Sequence, residues 1–151
     1  MLKKIFIVNI SVFVLFIVDR LMKLYFWQNP ESSRDFIIGF LSFRLETNSG
    51  IAFGLPVNQT LLLIAIVIIL LVVIKRLLAA YAYNDLMTVI SLTLVVAGAF
   101  SNLIDRLRFG LVIDYIDVPF FTVFNLADVM ISIGVAILIL DTAFERSKSQ
   151  F

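Results

Sequence analysis

Long apolar runs alternate with short charged breaks along this chain. The first run extends from about Ile5 to Trp27, behind Lys3-Lys4, with Asp19, Arg20 and Lys23 near its far end. The second covers Val57 to Ile74 and is closed by Lys75-Arg76, and the third covers Leu86 to Ile104 and is closed by Asp105-Arg106. The fourth spans about Val118 to Leu140, with Asp128 inside it and Asp141 behind it. Each run approaches the roughly 20 residues that a helix needs to cross about 30 Å of hydrocarbon. Helices satisfy their own backbone polar groups in lipid. The pattern therefore predicts an all-α membrane protein, one domain over residues 1–151, with transmembrane helices at about 5–27, 57–74, 86–104 and 118–140. The first run lacks a small-x-small cleavage site and continues to Tyr25, Phe26 and Trp27, so it is expected to be a retained helix.

Four spans put both termini on one side and leave segments of about 28–56 and 105–117 on the other. Between Leu41 and Thr47, apolar and polar positions alternate, a period of two that predicts a short strand. With Phe36-Ile37-Ile38-Gly39-Phe40 ahead of it, this strand belongs either to a small sheet with an apolar face on the bilayer surface or to an ordinary extramembrane hairpin.

Composition agrees with the membrane class: 62% of the residues are apolar and 15% charged, where a soluble domain carries about 25% charged residues. A net charge of +1 gives no basis for a nucleic-acid partner. Basic residues do not decide orientation by number. Lys3, Lys4, Lys75, Arg76, Arg146 and Lys148 lie on the terminal side, and Arg20, Lys23, Arg34, Arg44, Arg106 and Arg108 on the other. Lys3-Lys4 and Lys75-Arg76 abut their helices in short segments, where the positive-inside rule acts most strongly, and this favours cytoplasmic termini.

Cysteine and histidine are both absent. That excludes Ser-His-Asp and Cys-His nucleophilic sites, histidine-bearing zinc motifs, thiolate metal sites and disulfides. Carboxylate acid–base chemistry, a Ser–Lys pair or a carboxylate-held metal remain. The Ser–Lys pair is the poorer choice, because no serine lies one turn from Lys23 within its helix.

Carboxylates stand where they are expensive. Asp105, Asp114 and Asp128 sit in or beside the apolar runs, and a charge at the bilayer centre costs about 2.5–3.5 kcal/mol on insertion scales. Asp105 and Asp128 end nearly the same tetrapeptide, Asn102-Leu103-Ile104-Asp105 and Asn125-Leu126-Ala127-Asp128. Residues three apart share a helix face, so each asparagine is expected to orient its own aspartate. Asp105 precedes Arg106 and Arg108, which predicts an interfacial ion pair. Asp114 lies in an apolar run without an adjacent base, and Asp117, before Val118-Pro119, is expected to cap or face solvent. Asp19 and Lys23, one turn apart, predict mutual neutralisation at a helix end. Asn48-Ser49-Gly50 predicts a turn, at which Gly50 would let backbone approach a bound peptide.

Two carboxylates sharing a site do not both ionise cheaply, so one keeps a proton near neutral pH. The charged member can draw a proton from water while the protonated member polarises a carbonyl, as in aspartic proteases. The residues alone leave open which two of Asp105, Asp114 and Asp128 form such a dyad.

Val18-Asp19-Arg20-Leu21-Met22-Lys23, Asn48-Ser49-Gly50-Ile51-Ala52-Phe53-Gly54, Asn102-Leu103-Ile104-Asp105-Arg106, Val112-Ile113-Asp114-Tyr115 and Phe124-Asn125-Leu126-Ala127-Asp128 follow one another in order. This ordered set resembles that of the bacterial lipoprotein signal peptidases over nearly the whole chain. The resemblance implies an aspartyl endopeptidase of the bacterial inner membrane. It would remove the signal peptides of prolipoproteins just before a diacylglyceryl-modified cysteine. By motif, the catalytic pair falls on Asp114 and Asp128. Asn48, Gly50, Asn102, Arg106 and Asn125 fall on site-lining or substrate-holding positions, and Asp19, Lys23 and Asp105 on supporting ones. The partners implied are lipid-modified signal peptides and membrane lipid, with no cofactor and no metal, and the chain is expected to act as a monomer. It departs from the family pattern at Arg20, Met22, Thr47, Ile51 and Ser101, where glutamine, threonine, arginine, alanine and glycine are usual. A small proton-coupled transporter is the alternative from another class, although small four-helix exporters bury a glutamate in the first helix and none lies in any apolar run here.

Overall fold

The computed structural model describes residues 2–50 and 58–148. Its elements in order are helix α1 (Leu2–Gln28), strands β1 (Ser33–Ile37) and β2 (Leu41–Asn48), helices α2 (Gln59–Tyr83) and α3 (Leu86–Phe109), strand β3 (Val112–Asp117) and helix α4 (Leu126–Lys148). Four helices among the described residues are long and apolar enough to cross a membrane, making this a multi-pass membrane protein. Ile51 and the expected start of the second span at Val57 lie outside the described residues.

The helices do not end where the apolar runs do. α2 continues through Lys75-Arg76 to Tyr83, and α3 passes Asp105 to end at Phe109, so residues 105–109 are its last turn and not part of a loop. Hydropathy marks the hydrocarbon layer, whereas backbone hydrogen bonding continues into the headgroup region, where long basic side chains reach water. The correction to the fourth span runs the other way. Residues 118–125 precede α4, and Phe124 instead forms an antiparallel bridge with Ile116.

α2 and α3 form an antiparallel pair joined through Asn84 and Asp85. Asn84 takes the left-handed conformation (φ 55°) that closes α2, and the Asp85 side chain accepts from Thr88 N to open α3. Both residue types tolerate these roles because their short polar side chains can replace missing helical hydrogen bonds.

α3 occupies the centre and packs against the other helices. Buried residues make up 44% of its spanning window against 11% for α2, which leaves most of α2 for lipid. Close contact with α4 depends on Gly98 and Gly134. A Cβ at Gly98 would run into the Ala127 carbonyl oxygen, and one at Gly134 would lie 2.5 Å from Ser91 O. Small residues let helix backbones approach closely where lipid offers no hydrophobic drive.

The strands form an antiparallel sheet in the order β1-β2-β3. β2 is the strand expected over 41–47, but its burial does not alternate, because Arg44 and Ser42 on its polar face are covered by Asp117. Asp117 is thus an ion-pair partner (Oδ2 2.6 Å from Arg44 Nε) and not a cap. β3 leaves α3 through Gly110 in the left-handed conformation and pairs with β2 from Asn48↔Val112 to Ser42↔Asp117. This pairing brings Asp114 back over the end of α3.

Candidate active site

Four elements converge at the sheet end of the bundle. α1 supplies Asp19, Arg20 and Lys23, α3 supplies Ser101, Asn102, Asp105 and Arg106, β3 supplies Asp114 and Tyr115, and the start of α4 supplies Asn125 and Asp128.

Behind the site lies a buried charge network. Lys23 Nζ is 2.8 Å from Asp105 Oδ2 and 3.3 Å from Asp19 Oδ2, with all three side chains fully buried. Arg20 Nη1 is 2.6 Å from Asp105 Oδ1 and also donates to Ser101 O and Oγ. Two cations therefore face two anions, a balance that burial demands. The expected pairing of Asp105 with Arg106 and Arg108 is not formed. Successive helix residues point about 100° apart, so Asp105 faces α1, while Arg108 lies over the Phe109 ring and Arg106 Nη2 donates to Gly50 O. The Asp19–Lys23 pair forms as expected, but inside this network and not at an exposed helix end.

The asparagines also act differently from expectation. Asn102 does not reach Asp105; its Oδ1 accepts from Lys23 Nζ (2.7 Å), and its Nδ2 donates to Asp128 Oδ1 (2.8 Å). Lys23 thereby fixes which way the Asn102 amide faces. Asn125 is the cap of α4: Asp128 N donates to Asn125 Oδ1 (2.9 Å), and Asn125 N donates to Asp128 Oδ2 (3.2 Å). This is the reciprocal geometry of a capping box, written with asparagine and aspartate. The tetrapeptide echo was therefore only half a structural repeat, since Asn102–Asp105 lies inside α3, where no cap is needed.

The other amide atom of Asn125 joins the two aspartates. Asn125 Nδ2 donates to Asp114 Oδ1 at 2.6 Å. Asp114 is 3% exposed. Burial, then the neighbouring Asp128, pushes its carboxyl up to about 7, against the opposing hydrogen bond from Asn125.

Asn48 and Gly50 sit at the far end of β2. Asn48 Oδ1 accepts from Gly50 N, the turn expected there, and Gly50 O accepts from Arg106 Nη2. The Gly50 carbonyl is thus bonded to α3, which ties the turn to the site. Of the residues that depart from the family pattern, Arg20 and Ser101 enter the buried network, Ser101 through a 2.6 Å bond to Asp19 Oδ2. Nothing in the structure explains Met22 or Thr47.

Tyr115 was not singled out from the sequence. Its hydroxyl donates to Asp19 Oδ1 (3.0 Å) and accepts from Leu126 N (3.2 Å), while Ala127 N also donates to Asp19 Oδ1. Burial first, then Asp19, pushes the phenol above its ordinary range, so it keeps its donor proton. The available signal was a tyrosine, with a polar tip, inside the otherwise apolar segment around Asp114. Asp19 and Tyr115 together satisfy N–H groups at the start of α4 that a helix leaves orphaned.

The family model described as Signal peptidase (SPase) II matches residues 11–144. The lipoprotein signal peptidase of Moorella thermoacetica is 40% identical over 126 residues, covering 80% of this chain and 82% of its own. That of Syntrophus aciditrophicus is 38% identical over 154 residues, covering 93% and 94%. A solved bacterial membrane enzyme superposes with a TM-score of 0.84 at 28% identity, covering 98% of this chain and 92% of its own. A second such structure gives 0.75 at the same identity. Sequence and architecture agree along nearly the whole length: the chain belongs to the signal peptidase II family and is a membrane-embedded peptidase.

Proposed function

We propose that this protein removes signal peptides from diacylglyceryl-modified prolipoproteins, cleaving just before the modified cysteine, with Asp114 and Asp128 as a catalytic dyad. The observation that carries the dyad is the bridging by Asn125, whose side chain donates to Asp114 while its backbone N–H donates to Asp128. Asp114, raised to about 7, suits the member that holds the shared proton near neutral pH. Asp128 then takes a proton from water as that water attacks the scissile carbonyl, and Asp114 hydrogen-bonds the carbonyl oxygen. Collapse of the tetrahedral species returns a proton to the leaving amine, so no metal or cofactor enters the cycle.

Supporting roles follow from the contacts. Asn102 and Asn125 hold the dyad, and Asn48, Gly50 and Arg106 form the rim that the precursor meets. Asp19, Lys23 and Asp105 set the position of α1 against α3 and α4. The whole is one domain, acting as a monomer in the bacterial inner membrane. Its termini are cytoplasmic and its site lies near the opposite face. Thirteen residues, or about 20 Å of helix, separate Asp128 from Asp141 at the terminal side, so Asp128 lies roughly 10 Å below the other boundary. Water can reach that depth.

The test is turnover of a lipidated precursor by Asp114→Asn and Asp128→Asn protein purified from membranes. Each substitution keeps the shape and removes the acid–base function, so both should lose all measurable cleavage while remaining folded. Substantial turnover by either variant would sink the dyad, and proton-driven uptake in vesicles, without cleavage by the unaltered chain, would favour a transporter.

A further inference from the structure

Phe120 is held in the left-handed backbone region (φ 67°) and is fully exposed, at 109% of its reference area. It occupies the third position of a turn in which Phe121 N donates to Val118 O (3.1 Å) and Pro119 stands second. Turns of that pattern favour glycine or asparagine at the third position, because a Cβ there crowds the backbone. A bulky aromatic in this place is a conformational outlier, and its full exposure shows no burial among the described residues that offsets it. Strain of this kind clusters at active sites, ligand clamps and switch regions.

A second apolar tip lies beside the first. The β1–β2 turn, closed by Phe40 N donating to Ile37 O, exposes Phe36 (72%), Ile38 (90%) and Phe40 (60%). Ile37, Gly39, Phe40 and Leu41 from this tip line one depression together with Pro119, which Asp35, Ser42 and Asp117 also line, the last paired with Arg44. Neither Phe36–Leu41 nor Val118–Phe124 contains a charged residue. Two segments about 80 residues apart in sequence thus present neighbouring tips that are themselves uncharged and aromatic-rich.

The helices fix the height of this surface. Counting from Lys4 at 1.5 Å per residue, α1 has crossed about 30 Å of hydrocarbon near Leu24, which places Tyr25 and Trp27 in the aromatic belt. β1 begins within one short turn of the end of α1, and Phe120 stands six residues ahead of the first residue of α4. Both tips therefore follow closely on helix ends that mark the boundary on the sheet side of the bundle.

We propose that the Pro119–Phe120 turn and the Ile38–Phe40 tip form a lipid-inserting wedge that seats the sheet in the headgroup–acyl boundary. The occupant is the bilayer itself, because the closeness of both tips to the boundary ends of α1 and α4, their own lack of charge and their aromatic content match that boundary. β3 runs directly from Asp114 to this turn, so the wedge sets the height of that strand relative to lipid. The inference stands on the membrane spans and does not depend on which residues perform catalysis.

The chain contains no cysteine, so single nitroxide labels can be placed without altering anything else. Phe120→Cys and Ile38→Cys proteins would be labelled and reconstituted in phosphatidylcholine–phosphatidylglycerol liposomes without precursor. Collision with oxygen and with a water-soluble nickel chelate would then be read by power-saturation EPR. A water-soluble nitroxide free in the same buffer serves as the aqueous reference and Phe13→Cys, on the lipid-facing side of α1, as the deep reference. The expected result is an oxygen-to-nickel ratio at both test sites well above that of the free nitroxide and below that at Phe13. A ratio equal to that of the free nitroxide would overturn the wedge. So would a rise that appears only on adding precursor, or only at high protein-to-lipid ratio, since these assign the surface to substrate or to a second copy.

Discussion

Asn125 binds both aspartates at once: its Nδ2 donates to Asp114 Oδ1 at 2.6 Å, and its backbone N donates to Asp128 Oδ2 at 3.2 Å. Its Oδ1 is already occupied by Asp128 N, so the amide cannot turn over without losing the cap of α4. One residue therefore fixes the spacing of two carboxylates that arrive from a strand and a helix.

Asn125→Asp should separate capping from orientation. Aspartate caps a helix as well as asparagine does, but it offers Asp114 a like charge in place of a donor. Turnover of the precursor is expected to fall by about 100-fold, the loss typical of one preorganised donor. Helix content by circular dichroism should stay unchanged. Unaltered turnover would mean that the bridge is not part of the working site.

A pH effect on stability follows from Asp114. Its folded carboxyl is raised from 3.8 to about 7, so between those values the folded state holds a proton that the unfolded chain has released. Stability from this group is complete below 3.8 and is lost as pH rises through about 7. Asp114→Asn, which mimics the neutral form, should therefore gain melting temperature over the unaltered protein at pH 8 and little at pH 4. Parallel melting curves across that range would contradict the assignment.

Asp105→Asn tests the buried network. Removing its charge leaves Lys23 with Asp19 alone and leaves Arg20 without its anion. Breaking one partner out of a buried ion pair costs about 3–5 kcal/mol. A marked drop in thermal stability with partial retention of cleavage is expected. If stability held while cleavage vanished, Asp105 would move from support into the chemistry.

Lipid should set the register of cleavage. Acyl chains contribute about 0.8 kcal/mol for each buried CH₂, enough to hold a scissile bond at the depth of Asp128. Precursors lacking the diacylglyceryl group should be cleaved far more slowly, and Asn48→Ala should weaken processing without altering the pH profile. Equal rates on lipidated and unlipidated precursor would defeat this account of selectivity.

The sequence by itself determined the four spans, because about 20 apolar residues in a row have little alternative to a membrane helix. It also determined β2, whose period of two is a local property, and it placed Asp114 and Asp128 in motifs whose order is specific. It could not decide which way Asp105 faces, that Asn102 reaches Asp128 instead of its own helical neighbour, or that Tyr115 belongs to the site. Nor did it reveal β3, whose strand geometry comes from pairing with β2 some 70 residues earlier in the chain. The physical reason is the same in each case. Periodicity fixes which residues share a face of one element, but not the rotation of that element against its neighbours. That rotation is settled by contacts between distant segments: Lys23 against Asp105 and Asn102, Gly98 against Ala127, and Asn48 against Val112.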